Sequence, residues 1–336
     1  MASLLAFIVR GRMLATIWVF LVVMGTMIAM RQSQEPPRWM RKLAETQASS
    51  QQLLRLSETR LADGTMQFER IRTNMAPDVV WLCMTKDQTS WGQVNNVQRT
   101  FDDFINLMRS SGLDPSRISL SILTGSEQEY RHFRAVTKRF HFARFIVLLH
   151  PGLHELESTS ADSTAEERWK HHRSETAKLR NYLLLRTLRD ERHIFWLDPD
   201  VYEVTPGIIP RMIAHSESRE DAGIITARCS PTGDSEYDRH SWSGTKQDQH
   251  YLSETLQGTS DGDLVPLTAV GASVLYMRAS LVWQGLTFPA YYTIDSGWDH
   301  EGHDGIETDG LCHQSRGLKG GGCFALGGNW YVRHTS

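Results

Sequence analysis

Hydrophobic positions fall into short uninterrupted runs from residue 78 onward, and longer segments with helical periodicity separate these runs. Consecutive apolar positions are typical of buried strands, and an apolar stripe is typical of helices, so the alternation predicts a βαβ series. Helices are expected near residues 97–110, 127–139 and 165–190, the last after a polar loop. The four predicted strands are DVVWLCMT, ISLSILT, FARFIVLLH and HIFWLDPD.

Strands that are apolar throughout suit a mostly parallel sheet with helices on both faces, which predicts an α/β fold. Sheets of this kind bind ligands outside the carboxyl ends of their strands. The fourth predicted strand reaches this edge of the sheet within the stretch HIFWLDPDVYE, residues 193–203. Asp198 and Asp200 are one residue apart, so in an extended segment they point the same way and form a hard-oxygen site for Mg²⁺ or Mn²⁺. The metal could in turn hold a diphosphate. The alternative is a solvated turn.

The N-terminal segment predicts a membrane anchor. Residues 13–30 are uncharged over 18 positions, near the lower limit for a membrane-spanning helix, and Arg10 and Arg12 precede them. A retained signal anchor fits this run better than a cleaved signal peptide. Residues 1–12 would be a cytoplasmic tail, residues 31–76 a polar, partly helical luminal stem, and residues 77–336 the luminal domain.

Composition narrows the function classes. The chain has 336 residues, 40% hydrophobic and 22% charged, and a net charge of -3 with a pI near 6.5. No basic stripe accumulates on any predicted face, so no nucleic-acid partner is expected. The four cysteines allow three full pairings or none; Cys312 and Cys323 could bridge across a helix-to-strand turn.

A luminal site for a metal and a diphosphate suggests a nucleotide-sugar glycosyltransferase, in which the metal offsets charge on the departing nucleoside diphosphate. Several sequence blocks point to one group of these enzymes. They resemble blocks that occur in the same order in the fungal Golgi mannan polymerase subunits, a family of mannosyltransferases (glycosyltransferase family 62). The resemblance runs from about residue 78 to the end. Its motifs are Thr85-Lys86-Asp87, RNYLLLRTL, WLDPDV, VGASVLYMRASLVWQGLTFPAYY, WDHEGHDGIETDGLCHQSRGL and NWYVRH.

The resemblance implies a GT-A type nucleotide-sugar-binding domain that uses GDP-mannose as donor and Mn²⁺ as cofactor and retains the α-configuration. It further implies a mannosylated glycan as acceptor, related mannosyltransferase subunits as partners, and a single-pass type II Golgi membrane protein. By position, the implied metal ligands are Asp198, Asp200 and His334. The implied nucleotide-binding residues are Thr85, Lys86, Asp87, Arg180 and Asn181.

The block EGHDGIETDG contains the candidate catalytic acids Asp304, Glu307 and Asp309. Acids at the start of a helix can be simple caps that meet the helix dipole. At least one should stay accessible to bind mannose hydroxyls or orient the acceptor, with Asp304 and Glu307 favoured over Asp309. Retention through a covalent intermediate and retention through same-face attack both remain open.

Smaller features complete the prediction. Ala272 stands where the family commonly has a glycine, and its methyl group is expected to narrow the donor pocket. The His171-His172 pair is expected to be solvated helix surface rather than a metal site. Two other function classes stay open: a non-catalytic scaffold subunit of a transferase complex, and a metal-dependent phosphate-ester hydrolase, which would need more clustered ligands.

Overall fold

The structure is a computed structural model that describes residues 54–153, 164–230, 240–245, 248–291 and 305–335, together with Met24. The chain divides into two units, Met1–Leu53 and Leu54–Ser336, and the elements below belong to the second. Within the described ranges, no helix is both long and apolar enough to span a bilayer. Apart from Met24, the predicted anchor lies outside those ranges and stays a prediction.

Between residues 79 and 197 the longer strands alternate with helices, as the hydrophobic pattern predicts. The helices are α1 Phe101–Ser110, α2 Glu127–Val136, α3 Ala165–Thr187, α4 Ile208–Ser218, α5 Leu252–Thr255, α6 Ala279–Trp283 and α7 Leu311–Ser315. Short 3-10 helices span Gln88–Trp91, Pro115–Arg117, Thr137–Arg139, Pro151–Leu153 and Glu307–Gly310. The strands are β1 Leu54–Arg60, β2 Met66–Arg72, β3 Val79–Thr85, β4 Gln93–Val94, β5 Val97–Gln98, β6 Ile118–Thr124, β7 Arg144–Leu149, β8 His193–Leu197, β9 Val201–Val204, β10 Ala222–Thr226, β11 Arg228–Ser230, β12 Trp242–Thr245, β13 Asp248–Tyr251, β14 Leu264–Pro266, β15 Val274–Arg278, β16 Gly322–Leu326 and β17 Tyr331–His334.

A ten-stranded sheet organises the unit in the order β1-β2-β7-β6-β3-β8-β15-β10-β16-β14. The neighbours β7, β6, β3 and β8 are parallel, as are β10 and β16. Strands β2, β14 and β15 run opposite to the others. The predicted α/β fold with a mostly parallel sheet is therefore confirmed.

The four strands predicted from apolar runs are β3, β6, β7 and β8, and nearly all of their residues are buried. Helices cover both faces, with apolar clusters around Trp81 and Phe133 on one side and around Leu183 and Trp196 on the other. Helix α3 begins where Thr164 accepts a hydrogen bond from the Glu167 backbone N–H and Glu167 reciprocates. These elements fix the carboxyl edge of the sheet.

The hairpin β1–β2 is a departure from the prediction, because residues 54–72 lie within the range assigned to a stem. They pair in register and extend the sheet through β7. The strand β1 lies at the sheet edge and is mostly exposed, so its polar residues hide the strand signal. The Arg70 guanidinium is buried and donates to the carbonyls of Phe140 (2.7 Å) and Phe142 (3.1 Å).

One disulfide ties the end of the chain together. Cys312 in α7 bonds to Cys323 in β16 with a Cα–Cα distance of 5.7 Å, which is one of the arrangements that the sequence left open. Cys83 and Cys229 are buried free thiols. Because α7 directly follows the 3-10 helix Glu307–Gly310, the disulfide anchors the segment that carries two candidate acids to the sheet.

Candidate metal centre and adjoining cleft

The two aspartates lie at the carboxyl end of β8, where the predicted site was expected. After the buried strand, the Asp198 backbone N–H donates to the Ser273 carbonyl (3.2 Å), and the Val201 N–H donates to the Asp198 carbonyl (3.2 Å). This turn places Asp198 and Asp200 before β9 begins. Their side chains are partly buried.

The third member of the cluster arrives from the C-terminal strand. Strand β17 pairs antiparallel with β9, and a register shift sets His334 opposite Val201. The His334 Nε2 atom lies 2.7 Å from Asp200 Oδ2. Potential ligand atoms of Asp198, Asp200 and His334 all lie within 4.8 Å of one another, so the structure brings together the three implied metal ligands.

The donor set and its electrostatics fit a divalent cation. Two carboxylates and one imidazole are ligands that Mn²⁺ accepts. Burial raises the pKa of Asp198 to about 6, with the Asp200 charge adding to the shift and Arg180 opposing it. Burial lowers the pKa of His334, but the hydrogen bond and charge of Asp200 outweigh this effect and raise it. The accumulated negative charge is what a bound cation would neutralise.

Arg180 of α3 links the metal cluster to Glu307. Its Nη2 lies 3.3 Å from Asp198 Oδ1, and its Nε lies 2.8 Å from Glu307 Oε1. The guanidinium carbon sits 5.0 Å from the Trp196 ring centroid and 5.6 Å from that of Phe288. The two rings hold the cation between the carboxylates.

Glu307 has a backbone conformation that is uncommon for a residue with a Cβ atom. Its φ is +63°, and its N–H donates to the Pro289 carbonyl at 2.7 Å. A left-handed conformation at a non-glycine residue costs on the order of 1–3 kcal/mol and is found preferentially at functional sites. The side chain that this conformation presents pairs with Arg180.

A cleft of about 460 Å³ adjoins the metal cluster. Its walls include Trp169, His172, Arg180, Asp198, Ala272 and Glu307. The rings of Trp169 and His172 stack with centroids 6.3 Å apart and an interplanar angle of 18°. His172 is exposed, as predicted, but its place on this cleft was not foreseen. Ala272, whose methyl group is expected to narrow the donor pocket, lies on the wall of this cleft.

Three of the site residues predicted from the sequence have side chains with hydrogen-bond or ion-pair partners inside the protein. Thr85 is 1% exposed and donates to Glu129 Oε2 at 2.9 Å. The Asn181 amide exchanges hydrogen bonds with the Phe288 backbone, at 2.7 Å through its nitrogen and 2.8 Å through its oxygen. Asp309 is fully buried between Arg173 (2.6 Å) and His240 (3.1 Å). Each of these side chains braces a neighbouring element, and a direct ligand contact for them stays a prediction.

Asp87, Lys86 and Asp304 are the remaining candidate site residues. The Asp87 carboxylate caps the 3-10 helix Gln88–Trp91 by accepting from Thr89 N (2.8 Å). Lys86 is half-buried, and its backbone N–H donates to Ser90 Oγ (2.9 Å). A nucleotide contact for either stays a prediction. Asp304 lies outside the described residues.

Arg99 is a residue that sequence reasoning missed. It is buried, and its Nη1 donates to the carbonyls of Trp91 (2.9 Å) and Pro199 (3.1 Å). It therefore supports the turn between the two aspartates through the Pro199 carbonyl. No local motif identifies it, because the contact with Pro199 joins positions far apart in the sequence.

Fold and site together define an α/β protein with a candidate metal centre at the carboxyl edge of a mostly parallel sheet. A sequence model described as Anp1 matches residues 91–260, about half of the chain, and the chain belongs to the Anp1 family. The family resemblance found in the motifs is confirmed. The matched range contains Arg180, Asp198 and Asp200.

Other comparisons give weaker likenesses. No curated protein has significant sequence similarity to the chain. The crystal structure of S. aureus TarS 1-349 in complex with UDP is 10% identical, with a TM-score of 0.44 over 77% of this chain and 60% of that one. The mannosyltransferase PcManGT from Pyrobaculum calidifontis, in complex with GDP-Man and Mn²⁺, is 8% identical, with a TM-score of 0.43 over 77% of this chain and 56% of that one. The chain thus spans less than two thirds of the length of either.

Proposed function

We propose that the chain is a GT-A type glycosyltransferase that transfers mannose from GDP-mannose to an α-mannoside of a glycan chain, with retention of configuration. The observation that carries this proposal is the cluster of Asp198, Asp200 and His334 beside a cleft that presents the Glu307 carboxylate. GDP-mannose as donor comes from the family resemblance. We further propose a type II Golgi protein that works with related mannosyltransferase subunits.

The cluster would hold Mn²⁺ through Asp198, Asp200 and His334. When bound, this ion supplies positive charge that offsets the charge developing on the departing GDP. Arg180 adds a second positive charge at the same point, since its guanidinium lies 3.3 Å from Asp198. Its position is fixed by Trp196 and Phe288, so it needs no rearrangement during the reaction.

Glu307 is the acid that we assign to the sugar. Its carboxylate lies on the cleft wall with Arg180 2.8 Å away, so it can accept hydrogen bonds from mannose hydroxyls or orient the acceptor hydroxyl. Asp309 serves a different purpose, because Arg173 and His240 enclose it. Glu307 is thus the favoured catalytic residue among the described candidates. Both routes to retention remain compatible with one cleft carboxylate.

The test combines nucleotide binding with transfer. Thermal unfolding is measured with GDP plus Mn²⁺, GDP plus chelator and UDP plus Mn²⁺, for the wild type and for the Asp198→Asn/Asp200→Asn double variant. A ligand at about a hundred times its dissociation constant stabilises the native state by roughly 2.7 kcal/mol. We expect stabilisation of the wild type only by GDP with metal, and none of the double variant. Asp102→Asn, an exposed acid on α1, is the matched control and should behave as the wild type.

Transfer from GDP-[¹⁴C]mannose to an α-mannoside acceptor is then measured with the same proteins. Transfer by the wild type and Asp102→Asn, with loss in the double variant, would support the proposal. Stabilisation by UDP in place of GDP, or transfer of another sugar without mannose, would overturn the donor assignment. GDP binding without transfer, alone or with partner subunits, would favour a scaffold subunit, and release of inorganic phosphate without an acceptor would favour a hydrolase.

A further inference from the structure

A second cleft lies at the opposite end of β8 from the metal centre. It encloses about 660 Å³ where β8 begins, next to the end of α4 and to α6. We call it the rear cleft and define it by Arg192, His193, Ser216, Glu217, Ser280 and Trp283. His193 starts β8 and Asp198 follows its end, so at about 3.3 Å per residue the two sites are on the order of 16 Å apart.

His193, which lines the rear cleft, has a buried nitrogen atom without a hydrogen-bond partner in the part of the chain that the structure describes. His193 is 4% exposed, and its Nδ1 lies 2.9 Å from the Tyr276 hydroxyl. Its Nε2 has no hydrogen-bond partner among the described residues, and Glu217 Oε1 is 3.6 Å away. A buried polar atom without a partner is unfavourable, so a ligand hydroxyl that reached Nε2 would relieve this cost. Burial also lowers the pKa of His193, so the ring that a ligand meets is neutral.

The rim carries charges of both signs in close pairs. Arg192 lies 3.5 Å from Glu217 Oε1 and 3.3 Å from Asp78 Oδ2. Arg278 is already engaged, because it donates to the Glu220 carbonyl (2.8 Å). A ligand with a net charge of either sign would meet groups of its own sign here, whereas a neutral polar ligand can use the acids as acceptors and the arginine as a donor.

An exposed indole completes the cleft. Trp283 on α6 is 63% exposed and lines the same cavity. A sugar ring has a face of C–H groups and a periphery of hydroxyls, so it suits a surface that offers an aromatic face beside hydrogen-bonding groups. The volume of the cleft also falls within the range of small-molecule sites.

We propose that the rear cleft binds a neutral saccharide, with one ring on Trp283 and a hydroxyl directed to His193 Nε2. This ligand class rests in part on the proposed function, since a glycosyltransferase handles glycan chains. The rear cleft would then hold a part of the glycan that is remote from the reacting sugar. Nothing at this site depends on the metal cluster.

Isothermal titration calorimetry with α-linked mannotriose tests the proposal. All variants are made in the Asp198→Asn/Asp200→Asn protein, and binding is measured in EDTA without nucleotide. We expect binding in this background, weakened about tenfold or more by Trp283→Ala. Glu217→Gln, a second exposed position, should weaken it to a smaller degree. Leu185→Ala is the matched control, because it removes an exposed apolar side chain that lines neither cleft, and it should leave the affinity unchanged. Trp169→Ala reports on binding in the other cleft.

Mannosyl transfer to methyl α-mannoside, an acceptor too short to reach both clefts, is measured in parallel with Trp283→Ala in an otherwise wild-type chain. Equal affinity of Trp283→Ala and its background, or loss of binding in Trp169→Ala alone, would overturn the rear-cleft proposal. No binding together with intact transfer would reject the rear cleft and leave the proposed function standing. Binding that depends on Trp283 in a protein without transfer activity would reject the proposed function and support the rear cleft.

Discussion

Arg180 and Glu307 form an ion pair of 2.8 Å between the long helix α3 and a segment near the end of the chain. The same guanidinium lies 3.3 Å from Asp198, so one cation is shared by a metal-cluster carboxylate and the candidate catalytic acid. Its side chain is buried. The sequence motif RNYLLLRTL is therefore tied physically to both WLDPDV and EGHDGIETDG.

Replacement of Arg180 should destabilise the protein, because it leaves two partly buried carboxylates without their cation. We expect Arg180→Met to lower the free energy of unfolding by about 3 kcal/mol. Arg180→Lys should recover part of this loss, since one ammonium group cannot serve both carboxylates and also fill the space between the rings. Urea unfolding in EDTA measures both changes.

Arg186 provides the control for this substitution. It lies on the same helix, is exposed, and donates to Gln67 Oε1 at 3.2 Å. Arg186→Met should change the free energy of unfolding by less than about 0.5 kcal/mol. Equal stability of Arg180→Met and Arg186→Met would show that the shared cation does not hold the site together.

Two substitutions of Glu307 distinguish the effect of its left-handed backbone on stability from the effect of its carboxylate on activity. Glycine adopts φ values near +63° without the Cβ penalty, so Glu307→Gly should unfold with a free energy roughly 1 kcal/mol higher than that of Glu307→Ala. Both variants lack the carboxylate, so both should lose mannosyl transfer by on the order of a hundredfold. Chemical denaturation and initial rates give the two readouts. An alanine variant as stable as the glycine variant would contradict the strain, and wild-type rates would contradict the catalytic role.

The sequence predicted four adjacent strands of the ten-stranded sheet, β7, β6, β3 and β8, and part of the site. Strands β3 and β8 are apolar except for Thr85 and His193, so their burial could be deduced, and Asp198 and Asp200 could be placed at a strand end. His334 needed the family resemblance, because only the pairing of β17 with β9 brings it to the cluster. Asp309 shows the limit of sequence-based prediction. Its position in an acidic block made it a candidate catalytic residue, whereas its partners Arg173 and His240 are far away in the sequence and no local motif reveals them.

Buried Glu129 should give the protein a pH-dependent stability below neutrality. Burial raises its pKa above the ordinary value of 4.5, although donors on Trp91, Thr85 and Thr124 oppose the shift. A carboxyl group whose folded pKa is raised binds its proton more tightly in the native state, so its contribution to stability is lost as pH rises from 4.5 through the folded pKa. Glu129→Gln should remove this slope, because an amide can accept from Trp91 and donate to the two threonines. Urea unfolding of both proteins from pH 4 to pH 7 in EDTA tests this, and parallel curves at all pH values would contradict it.

Trp169 should act on the acceptor rather than on the nucleotide. It is 48% exposed, stacks on His172 and lines the cleft that holds Glu307, so it offers a flat apolar surface to an incoming sugar. We expect Trp169→Ala to raise the KM for an α-mannoside acceptor by about tenfold, with the KM for the donor unchanged. Trp169→Phe retains an aromatic face and should restore most of the acceptor affinity, which a purely structural role would not predict. Because the side chain is exposed, neither variant should change the free energy of unfolding by more than about 0.5 kcal/mol. A rise in the donor KM, or an alanine variant with unchanged acceptor kinetics, would place the acceptor elsewhere on the protein.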